Sequence, residues 1–368
     1  MKKNNSKKQM ASKGEKETKQ DFAFYVGIDL GDKNSDVCVL DPRGEVSKEF
    51  RLRMKEDAFR EYFASIPRSR VSIEAGGQSR WVAEAIEKCG HEVYVSNTRK
   101  VPYIHQSDAK DDRGDAYKLA ELVHFKPQLL HPIQHRSREA QADLSWIRAR
   151  EVLVESRTQL INAVRGLSKA FAGRLEKCST ESFTAKLAGQ VPEEIRGAVA
   201  PLLETIDHLN EQIRYYDQME EHIARERYPK YRLLEQVNGV GVHTALSFML
   251  TIGDAERFEK SREVGSFLGM RPRKQESGES KPQLGITKAG DGYLRKTLVN
   301  CAHYILGPMG QDSDLRRFGQ RICERGGKNA KKRAVIAVAR KLGVLLHCLW
   351  VSGEVYEPLR NSKRAKAA

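Results

Sequence analysis

Between residues 22 and 125, short apolar runs alternate with amphipathic stretches, the pattern of an α/β unit. The run 24–28 ends at Asp29, 37–40 is a second strand, and Asp41-Pro42-Arg43-Gly44 is a turn into a third strand at 46–52. Helical periodicity follows at 57–64, then a buried strand at 71–73 that ends on Glu74. A helix at 81–89 is stopped by Gly90, and 93–95 is one more strand. Three hairpin-linked strands followed by alternating helix and strand is the order expected of an RNase-H-like (RuvC-like) fold.

From about 137 to 227 the pattern turns helical and highly charged. Ile206, Leu209, Ile213 and Tyr216 recur at spacings of three and four, with Ile223 a heptad later, a coiled-coil-like seam interrupted by Glu220. The stretch 144–171 is also helical and carries Arg148, Arg150, Arg157, Arg165 and Lys169. It reads as one arm of a helical hairpin, with a basic face that could cradle nucleic acid. Around Asn238-Gly239-Val240-Gly241 the pattern is helix, tight turn, helix, which exposes backbone N–H groups to phosphate or is an ordinary αα-corner. A polar Gly-containing loop at 275–286, a helix at 293–306 and a basic helix from about Lys328 complete the chain. The expected class is α/β plus α. It comprises a basic arm (1–20), an RNase-H-like domain (21–130), a helical coiled-coil segment (131–228), a mainly helical C-terminal domain (229–358) and a basic tail (359–368).

Composition narrows the partners. With 64 Lys+Arg against 49 Asp+Glu in 368 residues, the net charge of +15 favours a polyanion, because each neutralised phosphate releases counterions. Charge alone would equally suit a ribosomal or membrane-surface protein. Cys38, Cys89, Cys178, Cys301, Cys323 and Cys348 are scattered without a C-x-x-C pair, which fits reduced thiols rather than a disulfide frame or a zinc site. The lysine-rich N-terminus lacks the apolar segment of a signal peptide. The apolar run 334–351 contains Arg340, Lys341 and His347, so it is expected to be a buried or amphipathic helix and not a membrane span. The expected location is the cytoplasm, in association with the nucleoid, without a membrane partner.

The chemistry resides in carboxylates. Asp29 and Glu74 each end an apolar strand, and Asp112 and Asp115 open a helix three residues apart, on one face. Singly they say little, since strand-end aspartates are commonly turn residues and acids at a helix start are favoured by its dipole. Together, four converging carboxylates would repel one another unless a divalent cation lay between them. Mg2+ is a hard ion that takes oxygen ligands, and two ions about 4 Å apart can stabilise both the attacking and the leaving oxygen of a phosphodiester. Asp32, Asp36 and Asp111 fall off these positions.

At these residues the chain resembles the DEDD transposases of bacterial insertion sequences, whose members act as recombinases guided by a structured non-coding RNA. Tyr25-Val26-Gly27-Ile28-Asp29 and Ile73-Glu74-Ala75-Gly76-Gly77 match two of its motifs, the second with Gly76 in a place usually held by Thr or Ser. Lys110-Asp111-Asp112-Arg113-Gly114-Asp115-Ala116 is similar to a third, with Asp111 in place of Thr. The C-terminal third continues the likeness with Gly239 to Ala245, Ile252-Gly253-Asp254, Phe267 to Arg273, Glu276-Ser277-Gly278, and Ile286 to Gly290 with Leu294-Arg295. The resemblance spans about residues 24–355 and is thinnest in the helical middle.

It implies an enzyme that cuts and rejoins DNA. Asp29, Glu74, Asp112 and Asp115 would hold Mg2+, as two ions for which Mn2+ can substitute, and Ser277 would attack the scissile phosphate to give a phosphoserine–DNA intermediate. Taken by itself Ser277 is a loop serine near Arg271, Arg273, Lys274 and Lys281, with no base close in sequence, and the metal site of the other domain, of the same or another subunit, could activate it. Ser280 is the alternative nucleophile. Lys288 and Arg295 either position phosphates or are surface charges, while Lys328, Lys331, Lys332 and Arg333 open the last helix as a solvated face or, the favoured reading, as phosphate contacts. His105 and His243 read as structural or surface histidines. The implied partners are donor and target double-stranded DNA, a guide RNA, and further copies of the chain as a dimer or tetramer. The alternative is a metal-dependent, junction-resolvase-like nuclease in which water attacks. An actin-like ATPase is disfavoured by Asp32, which stands where a phosphate loop carries Thr, and a non-enzymatic binding protein is disfavoured by the intact carboxylates.

Overall fold

The computed structural model describes residues 22–97, 101, 103, 112–275, 277, 280, 282 and 284–361. The N-terminal arm, His105, Lys110, Asp111, Glu276, Gly278, Lys281 and the end of the basic tail lie outside the described residues. The chain divides into two compact units between His135 and Arg136.

The first unit is built on a five-stranded sheet in the order β3-β2-β1-β4-β5. Strands β1 (Tyr25–Asp29), β2 (Asn34–Leu40) and β3 (Val46–Arg53) are antiparallel. The Asp41 carboxylate accepts from the N–H groups of Arg43 and Glu45 at 2.8 and 2.9 Å, and Gly44 turns with φ 87°, so side chain and glycine together close the β2–β3 hairpin. Helix α1 (Glu56–Ser65) leads to β4 (Arg70–Glu74), which lies parallel to β1. Helix α2 (Ser79–Glu87) leads to β5 (Glu92–Ser96), parallel to β4, and helix α3 (Asp112–Phe125) follows.

Alternation in β1 and β4 splits the unit into two apolar layers. Val26, Ile28, Val71 and Ile73 form one core with Phe59 and Phe63 of α1 and Val82 and Ile86 of α2. On the opposite face, Cys38 and Leu40 pack with Ala116 and Ala120 of α3. Gly27 is the point of closest approach there. A Cβ at that position would stand 2.0 Å from the Ala116 carbonyl oxygen and 2.3 Å from the Ala120 nitrogen, both backbone atoms.

In the second unit, helices α4 (Arg138–Lys169) and α6 (Glu193–Arg227) pack as an antiparallel hairpin, with α5 (Phe183–Leu187) in the connection. Trp146 faces Tyr216 near the open end, and Ile161 and Val164 meet Val199, Leu203 and Ile206 near the closed end. The buried seam of α6 runs through Ile206, Asn210, Ile213, Glu220 and Ile223, so two polar residues occupy apolar register positions. Asn210 accepts from Arg157 of α4 at 2.7 Å. Arg148 pairs with Asp291 and Glu151, Arg150 with Asp217, and Arg165 donates to the carbonyls of Leu175 and Glu176. The arginines expected to form a nucleic-acid cradle on α4 therefore brace the unit internally.

The rest is α7 (Tyr231–Glu235), α8 (Val242–Ile252), α9 (Val264–Phe267), α10 (Gly292–Leu306), α11 (Asp314–Glu324) and α12 (Ala330–Ser352). Gly239 makes the turn between α7 and α8 with φ 91°. By length and composition α12 could cross a bilayer, yet half of its apolar stretch is buried in the core of this unit, where Val338, Ala339 and Leu342 are fully enclosed. Helix α11 was not foreseen, because its buried stripe is little more than Leu315 and Gly319 among charges.

Backbone-to-backbone contact leaves no soft atom to yield. Gly27→Ala is expected to destabilise the first unit by about 3 kcal/mol or more, read as a lowered denaturant midpoint. A change within about 0.5 kcal/mol would show that α3 is free to move off β1.

Candidate active site

Three structural choices bring the acids together. Asp29 lies two residues beyond Gly27 and so shares its face, the face covered by α3. Glu74 ends the neighbouring parallel strand one position past the Ile28–Ile73 pair, with adjacent strands about 4.8 Å apart. On α3, Asp112 continues the ridge of Ala116 and Ala120, and Asp115 the ridge of Leu119 and Val123, both buried against the sheet. The first turn of the helix therefore overhangs the carboxyl ends of β1 and β4.

Electrostatics records the convergence. Burial pushes the Asp29 carboxyl up to about 6, and the charges of Glu74, Asp112, Asp115 and Asp36 push in the same direction. Asp36, the cross-strand partner of Asp29, is itself bound by Arg51 at 3.1 Å. Asp115 is neutralised locally by Lys118 at 2.8 Å. With the side chains so arranged, no three acids, histidines or cysteines among the described residues meet closely enough to share one ion.

Ser277 is exposed and lies in the second unit. It exchanges backbone hydrogen bonds with Ser280 at 3.2 and 3.0 Å. Further down, Pro272 pairs with Ile286, and the N–H of Arg273 donates to Gly285. The serine thus sits on a loop arm whose foot is closed by the Pro272–Ile286 bridge. Of the cations expected to meet phosphate, Arg273, Lys288, Lys332 and Arg333 surround one cavity beside that foot. Arg295 donates to the Leu268 carbonyl and so holds the fold. Arg271, Lys328 and Lys331 are exposed.

A buried chain that sequence reasoning missed runs through His243. The Glu220 carboxylate, 1% exposed, lies 2.6 Å from His243 Nδ1, and His243 Nε2 lies 2.7 Å from the Tyr293 hydroxyl. A carboxylate only accepts, so Nδ1 carries a proton and donates it, while Nε2 shares a hydrogen bond with the phenol. Burial pushes the Tyr293 phenol up to about 12. The available signal was an acid in register on the α6 seam, which must find a donor once enclosed.

Two family models match this chain, a DEDD transposase model of the IS110 group over residues 26–171 and the transposase IS116/IS110/IS902 family over 231–320. The chain belongs to the IS110 family of insertion-sequence transposases. It is 27% identical to the transposase for insertion sequence element IS1111A of Coxiella burnetii, over 90% of each chain. It is 24% identical to the transposase for insertion sequence element IS1328 of Yersinia enterocolitica, over 90% of this chain and 98% of that one. A shorter match, 31% identical over 30% of the chain and 33% of the relative, is to a pilin gene-inverting protein of Moraxella lacunata.

Membership makes this transposase an enzyme that cuts and rejoins DNA, in a family that generally depends on divalent metal. The donor set fits such an ion. Four carboxylates offer only oxygen, the preference of a hard cation, and burial together with the neighbouring acids raises the Asp29 carboxyl.

The same shift has a consequence for stability. Below about pH 4 the Asp29 carboxyl is neutral both folded and unfolded, so its burial among acids costs nothing. As pH rises from about 4 to about 6 the unfolded chain gives up the Asp29 proton while the folded state keeps it, so stability falls across that window and levels off above it. In chelator, Asp29→Asn is expected to melt above the wild type at pH 8 and close to it at pH 4. Equal melting at both values would contradict the clustered arrangement.

Proposed function

We propose that this transposase works through a two-part site, with Asp29, Glu74, Asp112 and Asp115 holding divalent metal, Mg2+ or Mn2+, and Ser277 acting as nucleophile. The observation that carries the reading is the response of Asp29 to the other three acids. The order of antiparallel and parallel strands, with acids at the ends of β1 and β4, supports an RNase-H-like assignment of residues 21–130. In that reading 131–228 is the helical and coiled-coil segment, and 229–358 is the domain that carries the serine.

Bound cations would supply positive charge for the oxygens on phosphorus and lower the pKa of a nearby hydroxyl. Ser277 Oγ attacks the scissile phosphorus, the phosphorus–oxygen bond to one strand end breaks, and that oxygen leaves as a hydroxyl after taking a proton. The serine-bound phosphate keeps the bond energy. A hydroxyl end of another strand then attacks it, releases Ser277 and completes a new phosphodiester. Arg271, Arg273, Lys274 and Lys288 lie around the arm and suit the phosphates on either side. The relative of Moraxella lacunata is named for inverting a pilin gene, which accords with this reading.

The reading further includes a guide RNA and assembly as a dimer or tetramer. The basis for the RNA is the motif resemblance and a net charge of +15, and the basis for assembly is the motif resemblance alone. With an RNA supplying sequence specificity, protein side chains would contact backbone and shape rather than bases.

Mass spectrometry of the stalled reaction tests the nucleophile. A DNA adduct on the peptide containing Ser277 is expected from the wild type and none from Ser277→Ala. Asp29→Asn and Glu74→Gln should lower adduct formation by at least about 100-fold, the usual scale for loss of a charge-stabilising group. An adduct that persists in Ser277→Ala, or hydrolysed ends without rejoined product, would overturn the assignment.

A further inference from the structure

A cavity of about 1420 Å3 opens in the second unit between α11, α12, the foot of the Ser277 arm and the segment that follows α12. Its size exceeds the ~300–1,000 Å3 of small-molecule pockets, which points to a stretch of polymer. Among the described residues its walls carry nine lysines and arginines against two carboxylates, Asp314 and Glu357. Its floor is apolar, with Phe318, Ile322, Ile336, Val344 and Leu345 half-buried.

Cations and apolar groups interleave along α12. Arg333, Ala337, Lys341 and Leu345 follow one another at four-residue intervals on one face, and Ile336, Arg340 and Val344 do so beside them. A second feature is the charge at the start of α12. Lys331, Lys332 and Arg333 crowd the first turn of α12 with no acid there, at the end of the helix where its dipole disfavours positive charge. Folding alone does not favour that placement, whereas an incoming anion does.

We propose that this cavity holds unpaired single-stranded DNA, a few nucleotides long, beside the phosphate that Ser277 attacks. The inference rests on the reading of the 272–286 arm as the cutting element. Phosphates meet the cationic walls, and unstacked bases lie on the floor, the combination by which proteins bind single strands without reading sequence. A duplex keeps its bases stacked inside and would leave that floor unused. A second copy of this chain, itself at +15, is opposed by charge.

Fluorescence anisotropy with a labelled hexamer of thymidine tests this on the full chain in chelator, where no cutting occurs. Binding should weaken with salt at about −0.7 in log–log slope per phosphate engaged. An abasic hexamer should bind at least about tenfold more weakly, by the loss of base contacts. Lys332→Glu and Arg262→Glu should each weaken binding about fivefold or more, in line with the loss of phosphate contacts. Lys332→Glu should also melt no lower than the wild type, because an acid suits that end of α12. Equal affinity for the abasic strand, stronger binding of a duplex or of the matching RNA hexamer, or unchanged affinity in both variants would overturn the proposal. Ser277→Ala separates the two readings. It should bind the hexamer like the wild type, and adducts formed at Ser277 by a chain that does not bind the hexamer would overturn the cavity assignment alone.

Discussion

The first unit depends on how closely helix α3 approaches strand β1. Gly27 lets the strand backbone touch the backbone of Ala116 and Ala120, and any side chain would hold the two apart. Going toward Asp29 from that contact rises two residues along the strand, and going toward Asp112 rises one turn along the helix, steps of about 6 Å each. The contact therefore sets both acids at one level, over the carboxyl ends of β1 and β4. Burial under α3 raises the Asp29 carboxyl most, and the charges of the neighbouring acids add to it. Stability of the empty fold and readiness for a cation are opposed at this point, as is common where function requires a strained arrangement.

The second unit solves a different problem, the burial of charge within long helices. Glu220 on the α6 seam is enclosed, and His243 and Tyr293 extend its hydrogen bonding across to α8 and α10. Arg157 and Asn210 do the same between the two arms of the hairpin. Such pairs add little net stability over apolar packing, but they fix register, because a slip would strand a charge in the core. The turn at Gly239 and the helix that carries Arg295 are tied to that framework, and so the foot of the serine arm has a firm base.

Much of this was legible in the sequence. Short runs ending on an acid, 24–28 and 71–73, gave β1 and β4 with Asp29 and Glu74 at their ends, and i,i+3 spacing put Asp112 and Asp115 in one helical turn. The role of Gly27, Ala116 and Ala120 was not, since small residues show no periodic signal until their partners are known. Pairing was equally hidden. Asp36 is bound by Arg51, Asp115 by Lys118, and the arginines of α4 by acids and carbonyls distant in sequence. Asn210 and Glu220 broke the expected seam because burial of a polar group depends on a partner from another element. Ser277 was visible only through motif resemblance. Nothing local distinguishes it from any exposed loop serine.

The central claim is that the four acids act as one metal site, and calorimetric titration of Mn2+ into the metal-free chain addresses it most directly. The account predicts tight binding by the wild type and a weakening of at least about tenfold in each of Asp29→Asn, Glu74→Gln, Asp112→Asn and Asp115→Asn, because every member contributes charge to the same ion or ion pair. Wild-type affinity in any of the four variants would remove that residue from the site, and wild-type affinity in all four would contradict the account.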